Sequence, residues 1–155
     1  MKRYLIIRFI CAALLILLSA SVFAGYGNKR TDTAIGVPGD PGNVSRTLKI
    51  VAIEYMFLPP ELTVKQGETI KFVIENKGNK KHEMIIDTKR NLKKYAKIHR
   101  NDSEIATNEP NHIKLDPGEQ KSLVWEFTET GTINFACPIP GHFKGMRGKI
   151  YVETK

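Results

Sequence analysis

Three side chains with metal-binding chemistry lie close together near the end of the chain, in the stretch FACPIPGHFKGM. Four residues separate Cys137 from His142, and three separate His142 from Met146. Two prolines and a glycine between the first two predict a loop. A thiolate, an imidazole and a thioether are soft to borderline ligands, and they suit copper in both of its oxidation states. This loop is therefore a candidate copper site.

A second histidine is needed to complete a trigonal site of two imidazoles and one thiolate with a weak axial sulfur. His82, in KKHEMIID, follows the turn region 76–79 and is placed to supply it. His82 or Met146 alone would be weak evidence, because a lone histidine in a strand is usually structural and a methionine near a core usually fills space. Together with Cys137 and His142, they predict one copper ion bound by the four side chains.

Two other uses of these residues have to be weighed. In a cysteine-nucleophile enzyme, Cys137 would attack a substrate with His142 or His82 as its base. No oxyanion-hole motif and no orienting Asp or Asn is recognisable in the sequence, and Met146 has no role in such chemistry. A zinc site would prefer four strong donors, so the thioether favours copper. We therefore expect a metal-binding protein that is not an enzyme.

The segments around these residues have the alternating pattern of β-strands. From Thr47 onward, short runs of β-branched and aromatic residues are separated by turn signals. In the second half, the alternation predicts one inward face with Leu123, Trp125 and Phe127, and a second with Ile133, Phe135 and Cys137. The thiol is thus expected to point into the core at the end of a strand. With a closing strand at 149–153, roughly seven or eight strands predict an all-β fold, a Greek-key β-sandwich of two sheets.

We expect one domain that follows an export signal. Residues 1–24 combine a basic start, an apolar stretch and a small-residue end, which is typical of a signal peptide cleaved near Ala24. Residues 25–46 are rich in Gly, Pro, Asp and Asn and predict a flexible N-terminal tail. Residues 47–155 are the predicted copper-binding domain, with a polar, partly helical insertion around 88–111. Export predicts a periplasmic protein with no membrane span after cleavage.

Cysteine usage and charge narrow the function further. Cleavage removes Cys11 and leaves Cys137 as the only cysteine. A lone thiol in an oxidising compartment calls for a reason such as metal ligation. The formal net charge is +8 for the whole chain, and the 21 basic and 16 acidic residues outside the signal leave +5. This positive charge favours an acidic redox protein or a copper-handling protein as partner, and we expect a monomer. The lysines are scattered among acids, which argues against nucleic acid as a partner.

From about 47 to 155, the pattern resembles the cupredoxins, the family of small blue copper proteins that includes azurin, plastocyanin and pseudoazurin. The spacing Cys-x4-His-x3-Met is similar to the ligand loop of azurin. The resemblance implies that His82, Cys137 and His142 are equatorial ligands and that Met146 is the axial ligand of a type 1 site. It also implies that His142 is the partly exposed ligand through which electrons pass, framed by an apolar patch. The patch consists of Ile139, Pro140 and Phe143.

Two residues beside the first histidine depart from the family pattern. Azurin and plastocyanin commonly have an asparagine after it, which ties the two ligand loops together, and Glu83 stands here. Azurin has a glycine before it, whose carbonyl approaches the metal, and Lys81 stands here. The segments PNHIKLDPGE and GTINFACPIPGH resemble exported cupredoxin-like proteins linked to bacterial copper handling. The resemblance thus implies copper handling or tolerance, with electron transfer to a respiratory partner as the alternative.

Other candidate residues receive simpler interpretations. His99 and His112 are expected at exposed loop positions. Met84 shares the strand phase of the first histidine and is expected to point inward, mainly for packing, and Met56 is also expected in the core. The lysines at positions 77, 80 and 81 are expected to form a solvated loop around the first ligand.

Overall fold

The computed structural model of the chain describes residues 35–100 and 109–155. The predicted signal peptide, 1–24, and residues 25–34 of the predicted tail lie outside the described residues. The same holds for residues 101–108 within the predicted insertion.

The described strands form two sheets of five strands each. The first sheet has the spatial order β1 (Val37–Pro38), β8 (Gln120–Glu126), β5 (Thr69–Asn76), β2 (Arg46–Ile53) and β3 (Met56–Leu58). The second has the order β4 (Glu61–Lys65), β10 (Arg147–Glu153), β9 (Gly131–Ala136), β6 (His82–Asp87) and β7 (His112–Leu115). The β2–β5 and β4–β10 pairs are parallel, and the other pairs are antiparallel. This arrangement confirms the predicted two-sheet β-sandwich.

Apolar side chains from both sheets fill the space between them. Burial alternates along strands that lie over this core, as in β4, where Leu62 and Val64 are buried between exposed neighbours. The side chains predicted to point inward are all buried, namely Leu123, Trp125, Phe127, Ile133, Phe135 and Cys137. Cys137 belongs to the same apolar cluster as the others. The thiol therefore lies in the core just beyond the end of β9, as the alternation predicts.

Residues 35–46, which the composition assigns to a flexible tail, are attached to the sandwich. Ile35 is buried, and its carbonyl oxygen accepts a hydrogen bond from the indole N–H of Trp125 at 2.6 Å. Strand β1 pairs with β8, and Asp40 caps a 3-10 turn over Pro41–Asn43. The physical reason is that the buried indole N–H needs an acceptor. The described part of this segment therefore belongs to the domain, and the domain begins before residue 47.

The predicted insertion contains one described helix, α1 (Lys89–His99). The Thr88 hydroxyl caps its first turn and accepts a hydrogen bond from the Asn91 N–H at 3.2 Å. Leu92 is buried against Ile85 of β6 and Ala136 of β9. Because the side chains that flank Ile85 along β6 belong to the core between the sheets, α1 covers the opposite face of the second sheet. No helix within 35–100 and 109–155 is both long and apolar enough to cross a membrane.

Asn76 holds the loop that leads into β6. Its side chain is fully buried, and its amide nitrogen donates to the carbonyl oxygens of Lys80 at 2.8 Å and Leu115 at 3.2 Å. Its side-chain oxygen accepts a hydrogen bond from the Gly78 N–H at 2.9 Å. One side chain therefore satisfies three backbone groups, and it fixes the position at which β6 begins with His82.

We predict that Asn76→Leu, which has a similar volume, lowers the free energy of unfolding by about 3 kcal/mol, because buried backbone groups lose their partners. Denaturant unfolding of the copper-free protein measures this change. Asn79→Ala, an exposed change in the same loop, is the matched control and should stay within about 0.5 kcal/mol of the wild type. Equal stability of the two variants would contradict the role of Asn76.

Candidate metal centre

Three of the four predicted ligands converge at one end of the sandwich. Nitrogen atoms of His82 and His142 and the sulfur of Cys137 all lie within 4.8 Å of one another. The two Nδ1 atoms are 3.2 Å apart, and Cys137 Sγ is 3.6 Å from Nδ1 of His142. All three residues are buried. Within the described ranges, no fourth His, Cys or carboxylate joins this group.

The ligand loop is held closed by its own backbone. The Cys137 N–H donates to the Met146 carbonyl oxygen at 3.0 Å, and the Met146 N–H donates to the His142 carbonyl oxygen at 2.9 Å. The His142 N–H donates in turn to the Ile139 carbonyl oxygen at 3.0 Å. Gly141 has a φ of +86°, a backbone conformation that favours glycine. The spacing of the three ligand-type residues thus matches a compact turn that returns the chain to β10.

Met146 is fully buried and belongs to the same apolar cluster as Cys137. Its backbone faces Cys137 across the neck of the loop. This position brings the fourth predicted ligand to the same end of the sandwich. Its role as the axial thioether remains a prediction.

Burial keeps the metal-free donors uncharged. It raises the pKa of the Cys137 thiol to about 11. It is also the main cause that lowers the pKa of both imidazoles, followed by the charge of His142 for His82 and of Lys80 for His142. At neutral pH the donor set is therefore a thiol and two neutral imidazoles, and its nitrogens are ready to bind a cation.

Glu54, which sequence reasoning missed, lies behind the first histidine. The Nε2 atom of His82 is buried without a hydrogen-bond partner, and the nearest Glu54 oxygen is 3.9 Å away. Glu54 accepts hydrogen bonds from the N–H groups of Asn79 at 2.6 Å and Lys80 at 3.1 Å. The bond from Asn79 is the main cause that holds the pKa of the Glu54 carboxyl below its ordinary value. A metal on Nδ1 would leave the ring proton on the Nε2 side, facing this carboxylate.

Tyr55 covers the second histidine. The two rings meet edge to face, with centroids 5.1 Å apart, and the Tyr55 hydroxyl lies 3.1 Å from the ammonium of Lys80. His142 is consequently only 6% exposed, so the expectation of a partly exposed ligand is wrong. Tyr55 itself is exposed and has a left-handed φ of +69°, an uncommon conformation for a residue with a side chain.

Two histidines that were expected in exposed loops have buried side chains instead. His99 lies at the end of α1 and His112 begins β7, and both Nε2 atoms face the Glu83 carboxylate, at 3.3 Å and 2.8 Å. The expectation was wrong because the surrounding segment is polar, and nothing in it indicates the Glu83 carboxylate, which is distant in the sequence. Met56 is 46% exposed and is not a core residue. Met84 is fully buried, as predicted.

The donor set fits copper better than the other metals considered. One sulfur and two imidazole nitrogens in an apolar site form the trigonal set that blue copper sites use. Structural zinc sites usually have a fourth strong donor, and the group contains none among the described residues. A two-sheet sandwich with this donor set at one end defines a small single-copper protein of the cupredoxin class.

Comparison with known proteins supports the assignment to this class. Residues 44–153 match the family described as copper binding proteins, plastocyanin/azurin family. The chain belongs to this family, and its cofactor is one copper ion.

Individual relatives give more detail. The chain is 38% identical over 135 residues to a copper-resistant cuproprotein, CopI, of Rubrivivax gelatinosus, covering 86% of this chain and 82% of that protein. It is 27% identical over 150 residues to a protein of the same description from Pseudomonas aeruginosa, covering 77% and 83% of the two chains. Among solved structures, auracyanin B has a TM-score of 0.64 at 18% identity and covers 76% of this chain and 95% of its own. That likeness supports the fold alone.

We predict that metal binding at neutral pH releases one proton per copper ion. The thiol, with a pKa of about 11, must lose its proton to become a ligand, whereas the imidazoles have already lost theirs. The apparent affinity should therefore rise about tenfold per pH unit from pH 7 toward the thiol pKa. Proton release into a weakly buffered solution during Cu(I) addition measures the effect. The Cys137→Ser chain should release none, and binding by the wild type without release would contradict the prediction.

Proposed function

We propose that the protein is an exported, periplasmic copper-handling protein that holds one ion in a redox-active type 1 site. His82, Cys137 and His142 would be the strong ligands and Met146 the weak axial one. The observation that supports this most directly is the buried convergence of two imidazoles and one thiol on a loop closed by its own backbone. The described copper resistance of relatives with similar sequences supports the biological role.

Bound copper would supply a one-electron couple between Cu(I) and Cu(II). The chain contributes a fixed set of donor positions in a buried, apolar site. The ligand loop is held by backbone hydrogen bonds, and the first histidine is held by β6 and by the loop that Asn76 fixes. Little rearrangement would accompany the change of charge on the metal, and this favours reversible storage or transfer of the ion or of an electron.

A nucleophilic role for Cys137 has less support. The thiol is fully buried, and its pKa of about 11 leaves it protonated at neutral pH. A cysteine nucleophile needs the thiolate and access to a substrate. We therefore propose no bond-making reaction for this protein.

A dedicated electron carrier is the second candidate. Tyr55, which covers His142, is exposed, and so are Met56 and Leu58 on the strand that follows it. The ammonium of Lys80 lies 3.1 Å from the Tyr55 hydroxyl. An apolar patch with a neighbouring positive charge suits transient docking to an acidic redox partner. Both roles use the same site, so a test in the cell has to separate them.

The axial position is tested by Met146→Leu. We predict that this variant still binds one copper ion, but with a changed charge-transfer spectrum and a higher reduction potential, because loss of the axial donor disfavours Cu(II). A shift of about 59 mV would correspond to a tenfold change in the Cu(I)/Cu(II) affinity ratio. Absorption spectroscopy and voltammetry provide the measurements. Met56→Leu, an exposed methionine, is the matched control and should change neither. If Met146→Leu also changes neither, Met146 is not a ligand and the buried Met84 becomes the candidate.

The biological role is tested with a deletion strain grown across a copper series. We predict increased copper sensitivity with normal respiration at low copper, because a copper-handling protein needs no respiratory partner. Expression of the wild-type chain should restore tolerance, and the Cys137→Ser chain should not. Unchanged copper tolerance together with impaired respiration would favour the electron carrier.

A further inference from the structure

Glu83 lies between two buried imidazoles on the face of β6 that points away from the copper site. Its Oε2 atom is 2.8 Å from Nε2 of His112 and 3.3 Å from Nε2 of His99. The side chains of both histidines are at most 2% exposed, and that of Glu83 is 9% exposed. We call these three side chains the Glu83 clamp.

The clamp joins three elements that are far apart in the sequence. Glu83 is in β6, His99 ends α1, and His112 begins β7. Because Glu83 pairs with Lys114 and Ile85 pairs with His112, Glu83 and His112 are diagonal neighbours on one face of the antiparallel pair. Asn111 reinforces this junction, since its side-chain nitrogen donates to the Ile86 carbonyl oxygen at 2.7 Å. The helix end and the edge strand are therefore both fastened to the middle of β6.

The backbone of the same residue reaches the candidate metal centre. The Glu83 N–H points at Cys137 Sγ, with a nitrogen to sulfur distance of 3.4 Å. A buried carboxylate loses much free energy if its partners are removed. The side chain on the outer face of β6 thus restrains a backbone N–H that contacts the sulfur of Cys137, a residue of the core between the sheets.

We propose that Glu83 is a positioning residue for the copper site. The contacts of His99 and His112 with its carboxylate hold its N–H against the Cys137 sulfur, and the contact between this N–H and the sulfur sets the reduction potential of the copper. The proposal rests on the proposed copper ligation by Cys137. It also gives the helical insertion a function, because α1 supplies one half of the clamp.

The expected direction follows from the chemistry of the sulfur. A hydrogen bond to the thiolate withdraws electron density from it and favours Cu(I), which raises the potential. A looser clamp lets the N–H move away from the sulfur and should lower the potential. The negative charge of Glu83 acts in the opposite sense, so the test must separate position from charge.

Comparing Glu83→Gln with Glu83→Ala makes this separation, because both remove the charge and only Gln keeps an acceptor of the same length between the imidazoles. Relative to Gln, we expect Ala to lower the Cu(I)/Cu(II) affinity ratio at least tenfold, which is about 59 mV for one electron. The thiolate-to-copper charge-transfer band should shift with Ala and remain with Gln. His112→Gln, a milder change if Ala fails to fold, should give a shift of the same sign.

A measurement without copper keeps this proposal separate from the proposed function. Hydrogen exchange of the residue 83 amide in the copper-free protein should be at least tenfold faster in Glu83→Ala than in Glu83→Gln, and this readout does not depend on whether copper binds. Equal potentials and equal amide protection in the two variants would overturn the proposal. Binding of a second copper ion that is lost in His112→Gln would also overturn it, because the clamp would then be a metal site.

Discussion

The burial of one thiol together with two imidazoles is the constraint on which the rest of the molecule depends. Taken out of water, the thiol has a pKa of about 11, and burial lowers the pKa of both rings. Three polar side chains then lie in an apolar core with their donor atoms facing one another, and a cation is the partner that satisfies all of them. To keep the donors converged, the fold must fix two loops from distant parts of the chain. Asn76 fixes one, and the Cys137–Met146 backbone bond fixes the other.

The parts of this arrangement that depend on local pattern could be predicted from the sequence. Strand alternation placed Trp125 and Phe135 in the core, and the spacing of Cys137 and His142 indicated a metal loop before any contact was known. Both signals arise from neighbouring residues along the chain. The two-sheet sandwich followed because alternating strands of this length must bury one face.

Contacts between distant segments could not be predicted. Ile35 was assigned to a tail because its surroundings are rich in glycine and proline, yet the buried indole of Trp125, 90 residues away, binds its carbonyl. His99 and His112 were assigned to exposed loops because charged and polar residues are usually exposed. Met56 was assigned to the core as an apolar residue, but it lies on β3, at the edge of the first sheet, where the outward face meets solvent.

Strand β6 shows why the environment of the first histidine differs from the family pattern. All six of its residues are buried, because the core covers one face and α1 and its neighbours cover the other. In the azurin-like pattern, an asparagine after the first histidine ties the two ligand loops together. Here Glu83 occupies that position and turns its side chain away from the loops, while its N–H still faces the Cys137 sulfur. The connection between the loops therefore passes through the backbone, and the side chain is free to bind the helix and the edge strand. A carboxylate is tolerated there because two imidazoles contact it and little of it reaches water. His112 comes from β7, the strand paired with β6, and His99 comes from α1, which packs over the same face of β6.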